Sequence, residues 1–113
     1  DLLWVQRRVL PALKHLDLGE NNMQSVFPAL FAGGQLQSLT SLLLADNRFS
    51  GTIQTHIALM RNLRVIDFSN NEWTGSIPTE IFQLSNLQGL YLNYTRIGGT
   101  IPIDIIQCKS LQE

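Results

Sequence analysis

One phrase recurs three times in this chain at an interval of 24 residues. Leu39-Thr40-Ser41-Leu42-Leu43-Leu44-Ala45-Asp46-Asn47 is followed by Leu63-Arg64-Val65-Ile66-Asp67-Phe68-Ser69-Asn70-Asn71 and then by Leu87-Gln88-Gly89-Leu90-Tyr91-Leu92-Asn93-Tyr94-Thr95. A unit of this length cannot bury its own apolar face. Copies stacked on one another bury a continuous core, so a fixed period in this range predicts a solenoid.

Within each copy Leu42 and Leu44, Ile66 and Phe68, or Leu90 and Leu92 flank one intervening residue. Alternation of period two is the pattern of a half-buried strand. It predicts strands at 15–17, 41–43, 65–67 and 89–91, with the flanking apolar residues buried and Asp17, Leu43, Asp67 and Tyr91 exposed. Copies running in one direction make these strands parallel, and parallel strands need a crossover. The second half of each copy supplies it. Phe49-Ser50-Gly51-Thr52-Ile53 answers to Trp73-Thr74-Gly75-Ser76-Ile77-Pro78 and to Ile97-Gly98-Gly99-Thr100-Ile101-Pro102, followed by Ile57, Ile81 and Ile105 and then by Met60, Leu84 and Cys108. Pro78 and Pro102 lack an N–H and belong outside the ladder. By the same alignment Trp73 is core and Cys108 is a small buried hydrophobe, whereas Trp4 has no aligned position.

The composite LxxLxLxxNxFxGxIPxxIxxLxx resembles the leucine-rich repeat, and its Gly-x-Ile-Pro segment resembles the plant-type subfamily; similar repeats occur in algal proteins. The resemblance covers about nine tenths of the chain. It implies the α/β class: a right-handed solenoid with a parallel β-sheet on the concave face and short 3-10 turns and loops on the convex face. In that scheme residues 13–38 form a first repeat with a two-residue insertion near Gly33-Gly34, and 39–62, 63–86 and 87–110 form three regular ones. Residues 111–113 open another. Residues 1–12 read equally as a degenerate repeat or as a capping segment. Further repeats, caps or another subunit are expected at both ends, and residues 1–113 alone are expected to aggregate or oligomerise.

Asn21, Asn47 and Asn71 end the strands and point inward. A carboxamide offers two donors and an acceptor, enough to bond backbone of its own turn and of its neighbour. Their spacing makes them a structural ladder rather than a reactive set. Thr95 breaks that ladder, since one hydroxyl replaces only one of the two donors.

The concave face takes the third, fifth, seventh and eighth residues of each copy: His15, Asp17, Gly19 and Glu20; Ser41, Leu43, Ala45 and Asp46; Val65, Asp67, Ser69 and Asn70; Gly89, Tyr91, Asn93 and Tyr94. The early copies are acidic and the last is aromatic. Receptor-type relatives bind peptides or partner proteins on this face, so the resemblance implies a non-catalytic recognition module. Its partner would be a peptide, protein or glycan, and its setting the cell surface or outside the cell. The alternatives are a docking subunit in a larger intracellular or plastid assembly, and an inhibitor of a secreted hydrolase.

Other chemistries find little support. His15, Ser41 and Asp17 have the residue types of a nucleophilic triad, with strands about 5 Å apart. No strained nucleophile turn or oxyanion donor pair accompanies them, and an open sheet does not exclude water. His15 and His56 fall on opposite faces, without metal-ligand spacing. No cofactor is implied. The formal charge is −1, with eight basic and nine acidic residues scattered singly, which leaves no nucleic-acid footprint. No apolar run is long enough to cross a bilayer. One cysteine excludes an internal disulfide. Asn93-Tyr94-Thr95 is an Asn-x-Thr glycan acceptor.

Overall fold

The computed structural model describes residues 12–27 and 36–113. Its strands are β1 (His15–Asp17), β2 (Gln24–Val26), β3 (Ser41–Leu43), β4 (Arg48–Thr52), β5 (Val65–Asp67), β6 (Glu72–Thr74) and β7 (Gly89–Tyr91). They form two parallel sheets, ordered β1-β3-β5-β7 and β2-β4-β6. The first is the concave sheet of a right-handed solenoid, and its strands fall where the alternation puts them. Leu16 faces Leu42, Leu42 faces Ile66, and Ile66 faces Leu90. Single 3-10 turns at Thr55–Leu59, Thr79–Gln83 and Ile103–Gln107 close each copy on the convex side.

One hydrogen-bond fork recurs along the concave sheet. The N–H groups of Thr40 and Ser41 both donate to Lys14 O, those of Arg64 and Val65 to Thr40 O, and those of Gln88 and Gly89 to Arg64 O. The N–H groups of Gln112 and Glu113 donate to Gln88 O at 2.8 and 3.1 Å, and Glu113 O accepts from Leu90 N–H at 2.9 Å. Residues 112 and 113 therefore extend the same ladder.

The inward residues of the two middle copies, Leu42, Leu44, Ile66 and Phe68, are fully buried. Leu16, Leu18, Leu90 and Leu92 are only partly buried and pack against the margin of that core. The intervening residues also differ from the simple alternation. Asp17 is exposed, but Leu43, Asp67 and Tyr91 are half-buried. Parallel strands stand about 4.8 Å apart, close enough for side chains on the outer face to cover one another. Between the sheets lies an aromatic spine. Trp73 stacks on Phe49 (centroids 5.6 Å apart, planes 6° apart) and contacts Phe68 at 5.4 Å and Phe27 at 6.0 Å. Its Nε1 is the one buried side-chain polar atom without a partner among the described residues. Cys108 is buried, and its thiol donates to Leu84 O at 3.2 Å. Burial pushes its pKa up.

The second sheet is not foreshadowed by the repeat motif. Ser50 pairs with Glu72 and Thr52 with Thr74, two residues short of the 24-residue offset. An even stagger keeps every side chain on its own face, so Phe49 and Trp73 stay inside. Glycine ends this strand for a steric reason: Gly75 has φ +79°, and a Cβ there would stand 2.9 Å from Thr52 Cγ2. The insertion in the first copy lies outside the described residues, as does residues 1–12 apart from Ala12. Buried Phe27 and Leu36, which bracket the insertion, take the positions of Ile53 and Met60.

Asparagines join the two sheets. Asn47 Oδ1 accepts from the N–H groups of Asn21 and Met23 in the preceding copy (3.1 and 2.8 Å). Its Nδ2 donates to Leu18 O there (2.7 Å) and to Leu44 O and Ala45 O in its own copy. Asn71 does the same for Phe49 N–H (2.9 Å), Leu44 O, Phe68 O and Ser69 O. Asn21 is exposed, and its Nδ2 bonds Leu18 O and Gly19 O. A buried backbone group that loses its partner costs roughly 1–3 kcal/mol. Asn47→Ala and Asn71→Ala should therefore each lower stability by at least that amount, and Asn21→Ala by less. Urea unfolding midpoints measure this; equal midpoints for all three variants would contradict it.

Candidate functional site

The residues that no turn requires for packing gather on the concave sheet. Its edge at the strand N-termini carries Lys14, Thr40, Arg64 and Gln88, which with His15, Ser41 and Val65 line an open groove of about 460 Å³. A smaller polar cleft of about 250 Å³ adjoins it, lined by Lys14, Ser38, Thr40, Asn62, Arg64 and Asn86. Two residues along each strand, Asp17, Leu43, Asp67 and Tyr91 form a second row across the sheet, so half-buried Leu43 is flanked by two aspartates and half-buried Val65 lies in the row of His15 and Ser41. Glu20 and Asp46 follow beyond the strand ends.

Several of the acidic groups also hold their own turn. Asp17 Oδ1 accepts from Gly19 N–H at 2.9 Å. Asp67 Oδ1 accepts from Ser69 N–H at 3.0 Å and from its hydroxyl at 2.6 Å, which draws Ser69 into the buried set. Gly89 is buried as well: a Cβ there would meet Tyr91 Cε2 at 3.1 Å, so the Tyr91 ring lies over it. Ser69 and Gly89 therefore offer little surface, although both fall on the concave face. The Tyr91 hydroxyl donates to Glu113. That hydrogen bond, followed by burial and by the negative charges of Glu113 and Asp67, raises the Tyr91 pKa above the usual phenol value.

Sequence reasoning missed a backbone feature. The eighth residue of every copy is left-handed: Glu20 (φ 57°), Asp46 (58°), Asn70 (51°) and Tyr94 (55°). Asp and Asn tolerate this region, but Glu and Tyr are not drawn to it. Only Asp46 and Asn70 carried a local signal. The conformation is held across copies, since Glu20 N–H donates to Ala45 O, Asp46 N–H to Ser69 O and Asn70 N–H to Asn93 O. Asn70 Nδ2 also donates to Asp46 Oδ1 at 2.8 Å, which joins two eighth residues directly. Tyr94 is left 79% exposed. Asn93 is exposed beside it.

The triad types do not assemble. His15 and Ser41 are paired in the sheet, but among the described residues no hydrogen bond links either to the other or to Asp17. Nor is there, among the described residues, a group of three His, Cys, Asp or Glu side chains able to hold a metal ion. No described helix is long and apolar enough to cross a membrane.

Comparison with known proteins agrees with this architecture. The family model described as leucine rich repeat matches residues 37–97. A search of curated proteins returned no match. Among solved structures, the plant peptide hormone receptor RGFR1, in complex with RGF2, superposes with a TM-score of 0.83 at 38% identity over 88% of this chain and 16% of its own. The Arabidopsis receptor kinase HAESA, in complex with the peptide hormone IDA and the co-receptor SERK1, gives 0.83 at 29% identity over 91% and 17%. A plant ice-binding protein gives 0.78 at 29% identity over 85% and 31%. The chain spans less than a third of each of these proteins.

Tyr94 supplies a test of the site geometry. A side chain with a Cβ in the left-handed region costs roughly 1–2 kcal/mol, and asparagine reduces that cost through local hydrogen bonding. Tyr94→Asn should raise the urea midpoint by an amount equivalent to about 1 kcal/mol. An unchanged or lower midpoint would mean that the exposed ring contributes packing of its own.

Proposed function

The chain belongs to the leucine-rich-repeat family, with plant-type repeats, and we propose that it is a non-catalytic recognition module whose concave sheet binds a peptide or protein partner. The observation that carries this reading is the composition of that sheet. Leu43 and Val65 are half-buried apolar residues on neighbouring strands, Val65 beside the groove that Lys14 and Arg64 line and Leu43 flanked by Asp17 and Asp67, and neither belongs to the buried core. Apolar centres with polar rims are characteristic of recognition surfaces. The receptor structures described with peptide hormones support the partner class and a position at the cell surface. The ice-binding neighbour shows that fold alone does not choose among functions, which reside in sites placed on the fold.

Docking within a larger assembly has an observation of its own. The last turn leaves Ile101, Ile103 and Ile106 between 66% and 80% exposed. Beside them is an apolar hollow of about 270 Å³ lined by Ile77, Phe82, Leu90, Leu92, Ile101 and Ile105. A further repeat or a partner chain stacked on this end would cover both.

Peptides selected from a displayed random library against the full-length protein separate the two readings. Under the recognition reading, Leu43→Glu and Val65→Glu each weaken the selected peptides at least tenfold, equivalent to about 1.4 kcal/mol, while Arg61→Ala, at an exposed position just after the convex 3-10 turn Thr55–Leu59, has no effect. Peptides indifferent to both concave variants but weakened by Ile103→Glu would contradict it and favour docking at the end of the solenoid.

A further inference from the structure

The substitution that interrupts the asparagine ladder also completes a glycan acceptor. Thr95 Oγ1 donates to Leu92 O at 2.7 Å, the bond within its own copy that Asn47 makes to Leu44 O and Asn71 to Phe68 O. It does not make the reach to the preceding copy, which Asn47 and Asn71 span at 2.7 and 2.8 Å to Leu18 O and Leu44 O. An asparagine here would supply that reach and would leave no acceptor triplet. With threonine, Asn93-Tyr94-Thr95 is the only Asn-x-Ser/Thr triplet among the eight asparagines of the sequence.

The repeat geometry places the acceptor. A Cβ at Gly19, the seventh residue of the first copy, would stand 3.2 Å from Asp17 Oδ1. The Ser69 hydroxyl, seventh in the third copy, bonds Asp67. The seventh residue therefore shares the face of the fifth, which puts Asn93 beside Tyr91 on the concave side. Asn93 is exposed. Its carbonyl accepts from Asn70 N–H at 3.0 Å, and among the described residues its carboxamide makes no hydrogen bond. The buried, fully bonded carboxamides of Asn47 and Asn71 offer no such access.

We propose that Asn93 carries an N-linked glycan rooted on the concave face of the last copy, which shields Tyr91 and confines the ligand to the copies before it. This rests on the reading of the chain as part of a secreted or cell-surface protein, since glycan transfer to Asn-x-Thr takes place on the secretory route.

The test is mass spectrometry of the Asn93 peptide from the full-length protein expressed in plant cells, after peptide-N-glycosidase treatment in heavy-oxygen water. The expected result is Asn93 recovered as labelled aspartate. Thr95→Ser should retain the label, and Asn93→Gln and Thr95→Asn should abolish glycosylation. A secreted protein with unmodified Asn93 overturns the proposal alone; a protein that never enters the secretory route overturns it together with the cell-surface reading. Two further measurements bear on it. After enzymatic deglycosylation of the native protein, Thr95→Asn should show the higher urea midpoint; an equal or lower one would remove the argument that threonine is kept here at the ladder's expense. Tyr91 should be iodinated at least threefold faster in Asn93→Gln, and an unchanged rate would overturn the shielding.

Discussion

Each copy of this repeat must carry its backbone round a corner between two sheets, and the corner is buried. Peptide groups there are out of reach of water and need partners. One carboxamide meets the need. Asn71 receives Phe49 N–H and donates to carbonyls of two successive copies. The rest of the fold depends on this interaction, because it fixes how one copy sits on the next. The concave ladder, the staggered second sheet and the Phe49–Trp73 stack all follow from that placement.

With stacking supplied from inside, the concave surface is left to vary. Of its four residues per copy, some are still drawn into the turn: Asp17 and Asp67 cap the following N–H groups, and Ser69 folds against Asp67. Leu43, Val65 and His15 do neither. A recognition surface on such a frame changes partner by changing those residues, while the asparagines and the apolar interior remain as they are. The left-handed eighth residue is part of the same device. At Glu20, Asp46 and Asn70 it is locked by a bond across copies, so the side chain is presented in a fixed direction even where, as with Glu20, the backbone is strained.

The concave sheet was legible in the sequence because alternation of Leu42 with Leu44, or of Ile66 with Phe68, has a single period to read. The ladder was legible because Asn21, Asn47 and Asn71 end those strands at a fixed place. The second sheet was not. Strands β4 and β6 bury one side chain each, Phe49 or Trp73, and β2 buries none, and one apolar residue sets no period. Burial at the outer copies was overstated, since a motif assigns Leu16 and Leu90 the same role as Leu42 without counting their neighbours. The left-handed conformation at Glu20 was hidden because a hydrogen bond to the next copy, not local propensity, holds it, and at Tyr94 the residue type gives no local signal for it. For the candidate site, the sequence located the face but not which of its residues are already spent on the turns.

The central claim is that buried carboxamides hold copy to copy, and amide hydrogen exchange at Phe49 tests it most directly. Its N–H donates to Asn71 Oδ1, whereas Ile97 N–H reaches only the Thr95 hydroxyl in its own copy, at 3.4 Å. In the native protein, Phe49 should exchange as slowly as the concave-ladder amides of Leu44 and Phe68, and far more slowly than Ile97. Exchange at Phe49 as fast as at Ile97 would contradict the account.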